Sequence, residues 1–290
     1  MTHTTNPSKP VASRLHISLV IPAYNEEQYL GACLDAVAAQ TVMPDEVIVV
    51  NNNSTDRTIE IAKQYPFVTL LHEKRPGLRF TRNTGMDAAT GDVIGRIDAD
   101  TIVKQNWCEE LHNLFDDEAV DAATGSSYYY DMPGKRLGSF ADRNLRRLGY
   151  AIGGVLLYGS NMAMRRSAWQ AIRPVVCMDG EFFEDNDLSI HLVEKGYTIY
   201  YDPKLVVGVA ARMLDHPPRA FYRAMRHHDT TFSAHGQPRH GAAQVGKYIY
   251  VTAYPALKVM RLAYDANTNR LSLRRLLSSK HRTPRPTSNT

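Results

Sequence analysis

The strongest constraint on this chain is an alternation: short, nearly unbroken apolar runs, each halted by a polar turn and followed by residues at helical spacing. HISLVIPAY closes on Pro22 and Ala23, and Leu30, Leu34, Val37 and Ala38 follow at intervals suited to one helix face. EVIVV comes after the Pro44–Asp45 turn, TDRTIEIAKQY after an asparagine-rich turn, and then FVTLLHE. Apolar runs of this length, with no polar alternation, fit strands buried on both faces. Strands that alternate with helices give a mainly parallel sheet covered on two sides. A further helix near 79–90 leads into GDVIGRI and directly to Asp98-Ala99-Asp100. The expected fold is therefore α/β and Rossmann-like. Ligands in such sheets bind beyond the carboxyl ends of the strands, so the loops at 22–26, 51–54 and 98–100 should share one crevice. Glu26 and Glu27 are expected at the positive end of the first helix dipole, and Ser54 as cap of the second helix.

Composition narrows the class. With 43% hydrophobic and 22% charged residues, wholesale disorder is excluded, and 290 residues fit one large domain or a domain with an appendage. The longest apolar stretches, such as 150–158, contain glycines and fall well short of the ~18 residues of a membrane span. The amino terminus lacks the apolar core of a secretory signal, and Cys33, Cys108 and Cys177 share no metal-ligand spacing, so a cytosolic setting is expected. The net charge of +4 hides an asymmetry: residues 217–290 carry +11 and the preceding 216 carry −7. The expected organisation is a disordered arm over 1–14, a catalytic body over 15–216 and a basic, mainly helical extension over 217–290 with a flexible end.

Two carboxylate groups carry chemistry. Asp98 and Asp100 at the end of an apolar strand repel one another and resist desolvation unless a cation compensates them. A hard divalent ion with oxygen preference, Mg²⁺ or Mn²⁺, would do so; a surface turn with two capping aspartates is the alternative. Downstream, Phe182-Phe183-Glu184-Asp185-Asn186-Asp187 opens an amphipathic helix with Leu188, Leu192 and Val193 on its buried side and Gly196 as its stop. Acids are common in a first helical turn, which accounts for Asp187. A carboxylate pressed against phenylalanines instead has a raised pKa and suits a general base.

Six stretches in fixed order resemble the family 2 glycosyltransferases of the nucleotide-sugar-binding GT-A fold. They are Ile21-Pro-Ala-Tyr-Asn-Glu26, Val49 to Asp56, Gly77 to Gly85 with Ala89-Thr-Gly-Asp-Val-Ile, Ile97 to Asp100, Gly159 to Arg165, and Glu184-Asp185 with Leu188. The resemblance implies that Pro22, Ala23, Tyr24 and Glu26 hold the donor nucleoside, with Asn52 where the family usually has an aspartate on uracil. It implies that Asp98 and Ala99 lie against the donor, and that Asp100 with Asp98 holds the metal, a late histidine such as His216 completing the set. Asp185 would be the catalytic base, while Gly159, Ser160, Asn161 and Glu184 would line the acceptor side. Inversion at the anomeric carbon and a UDP-sugar donor follow from the same likeness. The asparagine at 52 leaves GDP- and dTDP-linked donors open, because an amide donates as well as accepts. A retaining transferase, a polyprenyl-phosphate acceptor and a catalytically silent nucleotide-binding scaffold are the rival readings.

Arg79 and Arg82 share a helix face, where they could meet phosphate; pairing with Glu73 and Asp87 is the favoured expectation. In the extension, Arg219, Arg223 and Arg226 precede YIYVTAYPALKVMRLAY and LSLRRLLSSK. Cations interleaved with aromatics suit an anionic membrane surface, and packing on the body is an equal alternative. A nucleic-acid partner is not expected, since no such motif accompanies the charge. The partners implied are a nucleotide-sugar donor and a glycan or lipid-linked acceptor.

Overall fold

Strand β1 (Ile17–Ala23) is buried along its whole length, and alternate side chains enter two different cores. Ile17, Leu19 and Ile21 pack with Leu30, Leu34 and Val37 of helix α1 (Leu30–Ala38) and with Trp107, Leu111 and Phe115 of α4 (Trp107–Phe115). Val20 turns the other way, toward Met86 of α3 (Leu78–Ala88), Trp169 of α5 (Arg166–Ile172) and Leu188 of α6 (Glu184–Glu194). The period-two geometry of a strand thus produces helices on both faces of one sheet. The computed structural model describes residues 14–134, 142–144, 156–179, 182–236, 241–265, 268 and 270–272. Apart from residue 14, the expected N-terminal arm lies outside these, as do the chain end after 272 and much of the 125–160 region.

The eight-stranded sheet runs β3 (Val68–His72), β2 (Glu46–Asn51), β1, β4 (Val93–Arg96), β7 (Met162–Arg165), β6 (Ala122–Tyr129), β8 (Ile199–Val209), β5 (Ile102–Val103). The first four strands are parallel, β7 is antiparallel to both β4 and β6, and β5 is antiparallel to β8. From β1 the chain builds outward through β2 and β3, then returns to place β4 on β1's other side. That reversal opens a crevice at the carboxyl ends of β1 and β4, where open α/β sheets bind ligands. Close packing of α3 against the strands requires Gly85, since a Cβ there would overlap the Val20 and Val50 side chains.

The turns differ in detail from the expectation. Glu26 and Glu27 precede α1 instead of entering its first turn, and the start of α2 (Thr58–Ala62) is held by Asp56, whose Oδ1 accepts from Thr58 N at 3.0 Å. Ser54 Oγ serves the neighbouring loop, accepting from Asn25 N. Val193 of α6 is 61% exposed, whereas Leu188 and Leu192 are buried as expected. Gly196, at φ 81°, ends that helix.

The extension packs on the body. A 3₁₀ turn (Arg212–Asp215) leads to α7 (Pro218–Ala234) and α8 (Gly241–Ala263), followed by a short antiparallel pair, β9 (Tyr264–Asp265) and β10 (Arg270–Leu271). Phe221 stacks on Tyr254 at 3.8 Å, and both join Met132 and Leu214 in a third core. Arg261 pairs with buried Asp131 and reaches Asp215 at 3.1 Å. On the outer side Tyr248, Ile249 and Val259 are exposed. Among the described residues, no helix is long and apolar enough to cross a membrane. Removing one member of a buried ion pair strands the other charge, so Arg261→Ala should cost about 3–5 kcal/mol. Urea unfolding measures this as a lower midpoint, partly recovered in the Arg261→Ala, Asp131→Asn double variant.

Candidate active site

Strand pairing brings three loops together. Asn51 lies opposite Ala23, and Asn52 N donates to Ala23 O at 2.9 Å; across β1, Ile97 N donates to Val20 O. Pro22, Ala23, Asn52, Asp98, Ala99 and Asp100 therefore meet at one end of the sheet. Pro22, Ala23 and Ala99 are buried in its rim, while Tyr24, beside the left-handed Asn25 (φ 54°), is 60% exposed.

The carboxylates here are tied to specific cations. Asp98 Oδ1 is 2.7 Å from Arg96 Nη2, and its Oδ2 accepts from the Ser160 hydroxyl. Arg96, 1% exposed, also reaches Glu184 Oε1 at 2.9 Å. Glu184 Oε2 lies 3.3 Å from Arg82 Nη1, so this carboxylate is enclosed by two guanidiniums, even as burial pushes its pKa up. Asp185, the next residue, accepts from Gly159 N–H at 3.0 Å through Oδ2. Gly159 and Ser160 thereby join Asp185 to Asp98 within two consecutive residues. Position 159 has no room for a side chain, because a Cβ would strike Arg96 Nη1.

A second cation faces the other aspartate. Arg212 Nε is 2.8 Å from Asp100 Oδ2, and its Nη1 lies 2.9 Å from both Glu26 oxygens, with Tyr29 beneath the guanidinium at 5.1 Å. Burial raises Glu26 to about 7 and Asp100 to about 6; Arg212 opposes both shifts, and Asp98 adds to them. For both carboxylates the cost of burial thus outweighs the attraction of Arg212.

Several expected assignments are displaced. His216 presents an exposed side chain and uses its carbonyl to accept from Tyr254 and Lys258; the late-chain partner of Asp100 is Arg212, four residues earlier. Asn161 is 1% exposed and structural, taking Trp107 Nε1–H on its oxygen and donating to the carbonyls of Ser126 and Leu205. Asn52 donates to the carbonyls of Glu73 and Arg75 and accepts from Gly77 N, which fixes the β3–α3 loop and occupies both of its amide protons. Arg82 pairs with Glu184, not with Glu73 or Asp87; those carboxylates pair with Arg75 and Arg173, and Arg75 with Thr84 holds Glu73 down at about 2. Arg79 lies over the Phe182 ring at 5.7 Å. Arg96 and Arg212 were missed by sequence reasoning. An arginine inside the apolar run VIGRI was the available signal for the first, since a charge in a buried strand must have a partner.

The family model for glycosyl transferase family 2 matches residues 18–173, more than half of the chain, and the chain belongs to that family. Glycosyltransferase GlyG of Streptococcus pneumoniae serotype 4 is 35% identical over 120 residues, which are 40% of this chain and 40% of that protein. The chain spans 17–41% of the length of several curated relatives that it matches. In fold it is similar to the mannosyltransferase PcManGT from Pyrobaculum calidifontis, in complex with GDP-Man and Mn²⁺, with TM-score 0.63 and 21% identity over 92% of this chain and 79% of the other. It is also similar to glucosyl-3-phosphoglycerate synthase from Mycobacterium tuberculosis in complex with Mn²⁺, UDP and glucosyl-3-phosphoglycerate, with TM-score 0.56 and 20% identity over 77% and 81%. These likenesses establish the GT-A fold.

The raised pKa of Glu26 has a definite sign. A carboxyl that holds its proton more tightly when folded contributes stability that is full below about 4.5 and is lost as pH rises through about 7. Urea unfolding across that range should therefore show wild type losing stability relative to Glu26→Gln as pH rises. Parallel profiles would mean that Glu26 does not titrate there.

Proposed function

We propose that the chain moves a sugar from a nucleoside-diphosphate donor to a hydroxyl, with inversion at the anomeric carbon. The observation that carries this reading is the short path from Asp98 through Ser160 and Gly159 to Asp185. It sets a strand-end carboxylate pair beside a third carboxylate on a separate helix. A direct displacement needs one base on the acceptor side and charge stabilisation on the leaving side, with no second carboxylate as nucleophile. In this reading Asp185, oriented by the Gly159 N–H, takes the acceptor's proton.

Asp98 and Asp100 would hold the divalent ion, Mg²⁺ or Mn²⁺. Their fit to such an ion rests on the donor chemistry: two carboxylates at one strand end supply hard oxygen ligands, and each faces a guanidinium, Asp98 that of Arg96 and Asp100 that of Arg212. When bound, the ion supplies charge to the departing diphosphate. Pro22, Ala23, Tyr24 and Ala99 would border the nucleoside, with base choice set by the loop that Asn52 pins. The Mn²⁺ and GDP-Man or UDP of the structural neighbours support a nucleoside-diphosphate donor, with a UDP-sugar the first candidate. Glu184 would act through Arg96 as a positioning residue.

The acceptor is a glycan or a lipid-linked carrier of the cell envelope. The exposed Tyr248, Ile249 and Val259 on the cationic extension support contact with an anionic membrane surface. Full-length protein should pellet with anionic liposomes at low salt and be released at high salt; a failure to pellet at low salt removes the membrane contact.

Asp185→Asn should lower kcat by about 10²–10⁴-fold while leaving the Mn²⁺-dependent thermal shift with UDP or GDP in place. Unchanged turnover, or an α-linked product from an α-linked donor, would overturn the assignment of the base.

A further inference from the structure

One turn beyond the proposed base, α6 takes part in a second cluster. Asp187 and His191 are four residues apart on one helix face. They meet Cys177, from the segment after α5, and His235, at the C-terminal end of α7. One ligand atom from each of these four residues lies within 4.8 Å of all the others. His235 Nε2 is 2.9 Å from Asp187 Oδ1, His191 Nε2 is 3.4 Å from the same oxygen, and Cys177 Sγ is 3.8 Å from His235 Nε2. The two imidazoles stand nearly perpendicular, at 84°.

Hydrogen bonding does not complete this cluster. His191 is 8% exposed, and its Nε2 is buried without a hydrogen-bond partner among the described residues. Its Nδ1 faces Glu194 Oε2 at 3.2 Å, which favours the proton on Nδ1 and leaves the Nε2 lone pair directed at a carboxylate oxygen. Two acceptors then face each other in a buried space, an arrangement that calls for a positive centre between them. A carboxylate behind a histidine is also the outer-shell support that metal-ligating imidazoles use. Cys177 N–H, donating to Asp187 Oδ2 at 3.1 Å, orients the carboxylate so that Oδ1 faces both rings.

We propose that Cys177, Asp187, His191 and His235 form a four-ligand Zn²⁺ site, separate from the donor site. A tetrahedron with bonds of about 2.0–2.3 Å has edges of about 3.3–3.8 Å, and the ligand-atom separations, all within 4.8 Å, lie within about 1 Å of that range. A thiolate and a carboxylate balance the charge of the ion, and the sulfur and nitrogen donors select zinc over the hard ions that Asp98 and Asp100 suit. All four positions are filled by protein, so the site is structural. It would join the 177 segment, α6 and α7, and so hold the helix that begins at Glu184 and Asp185 against the C-terminal extension. Phe183 N, donating to Thr231 Oγ1 at 2.9 Å, joins the same two parts of the chain.

The test uses full-length protein purified without chelator and freed of any histidine tag. Elemental analysis after desalting should find about one zinc per chain. Chelation should lower the thermal midpoint, and Zn²⁺, but not Mg²⁺, should restore it. Cobalt substitution of the wild type should give tetrahedral d–d bands and a thiolate-to-cobalt charge-transfer band, with the latter lost in folded Cys177→Ser. His235→Asn should reduce zinc content without removing the Mn²⁺-dependent shift with nucleotide. Wild type that retains no zinc after zinc supplementation and shows no thiolate–cobalt band would overturn the proposal, since neither measurement depends on a variant folding. Survival of the band in Cys177→Ser would overturn it too.

Discussion

The site is organised around Arg96, a guanidinium enclosed at the end of a central strand. Such a charge is tolerable inside a sheet only when anions and hydrogen-bond acceptors surround it. Here Asp98 supplies one, and Glu184, from a helix 88 residues further along the chain, supplies another. Because both must be present, the loop after β4 and the start of α6 are held in a fixed relation. Gly159 is needed for the same reason, since the guanidinium fills the volume a side chain would take. Arg82 closes Glu184 from the far side, so the segment that carries Asp185 begins on a neutralised anchor and not on an isolated acid.

Much of this architecture was legible in the sequence, and the gaps have physical causes. The strands up to Arg96 were readable because strands buried on both faces carry nearly unbroken apolar runs, as Leu19–Ile21 of β1 and Val47–Val50 of β2 do. The order of the later strands was not, because β7 and β5 join the sheet in the reverse sense and local periodicity carries no direction. Asp98, Asp100 and Asp185 were expected in one site; Ser160 and Gly159 connect the first of them to the last. Their cations were not foreseen, since a partner such as Arg212 is identified only by how the chain returns over the sheet. Asn52 and Asn161 show a related limit: an amide suited to a ligand is equally suited to backbone carbonyls, and burial decides between them. Cys177 carried no sequence signal, because its neighbours Asp187, His191 and His235 come from two helices and only the first pair has recognisable spacing.

The split between an acidic body and a basic extension also has a different meaning in three dimensions. Part of the excess positive charge in the extension answers polar groups of the body: Arg261 meets the acids Asp131 and Asp215, and Lys258 donates to the carbonyls of Leu214 and His216. Arg219, Arg223 and Arg226 are exposed, as are Tyr248 and Ile249. A charge count by segment therefore mixes internal neutralisation with surface potential.

The Arg261–Asp131 contact also bears on the order of events during synthesis. Asp131 emerges from the ribosome 130 residues before the guanidinium that neutralises it. In the folded corner beside β6, burial pushes Asp131 toward its protonated form and Arg261 of α8 opposes that shift. Closing that corner before α8 is in place would leave a buried carboxylate without its cation, so the body and the extension depend on one another there.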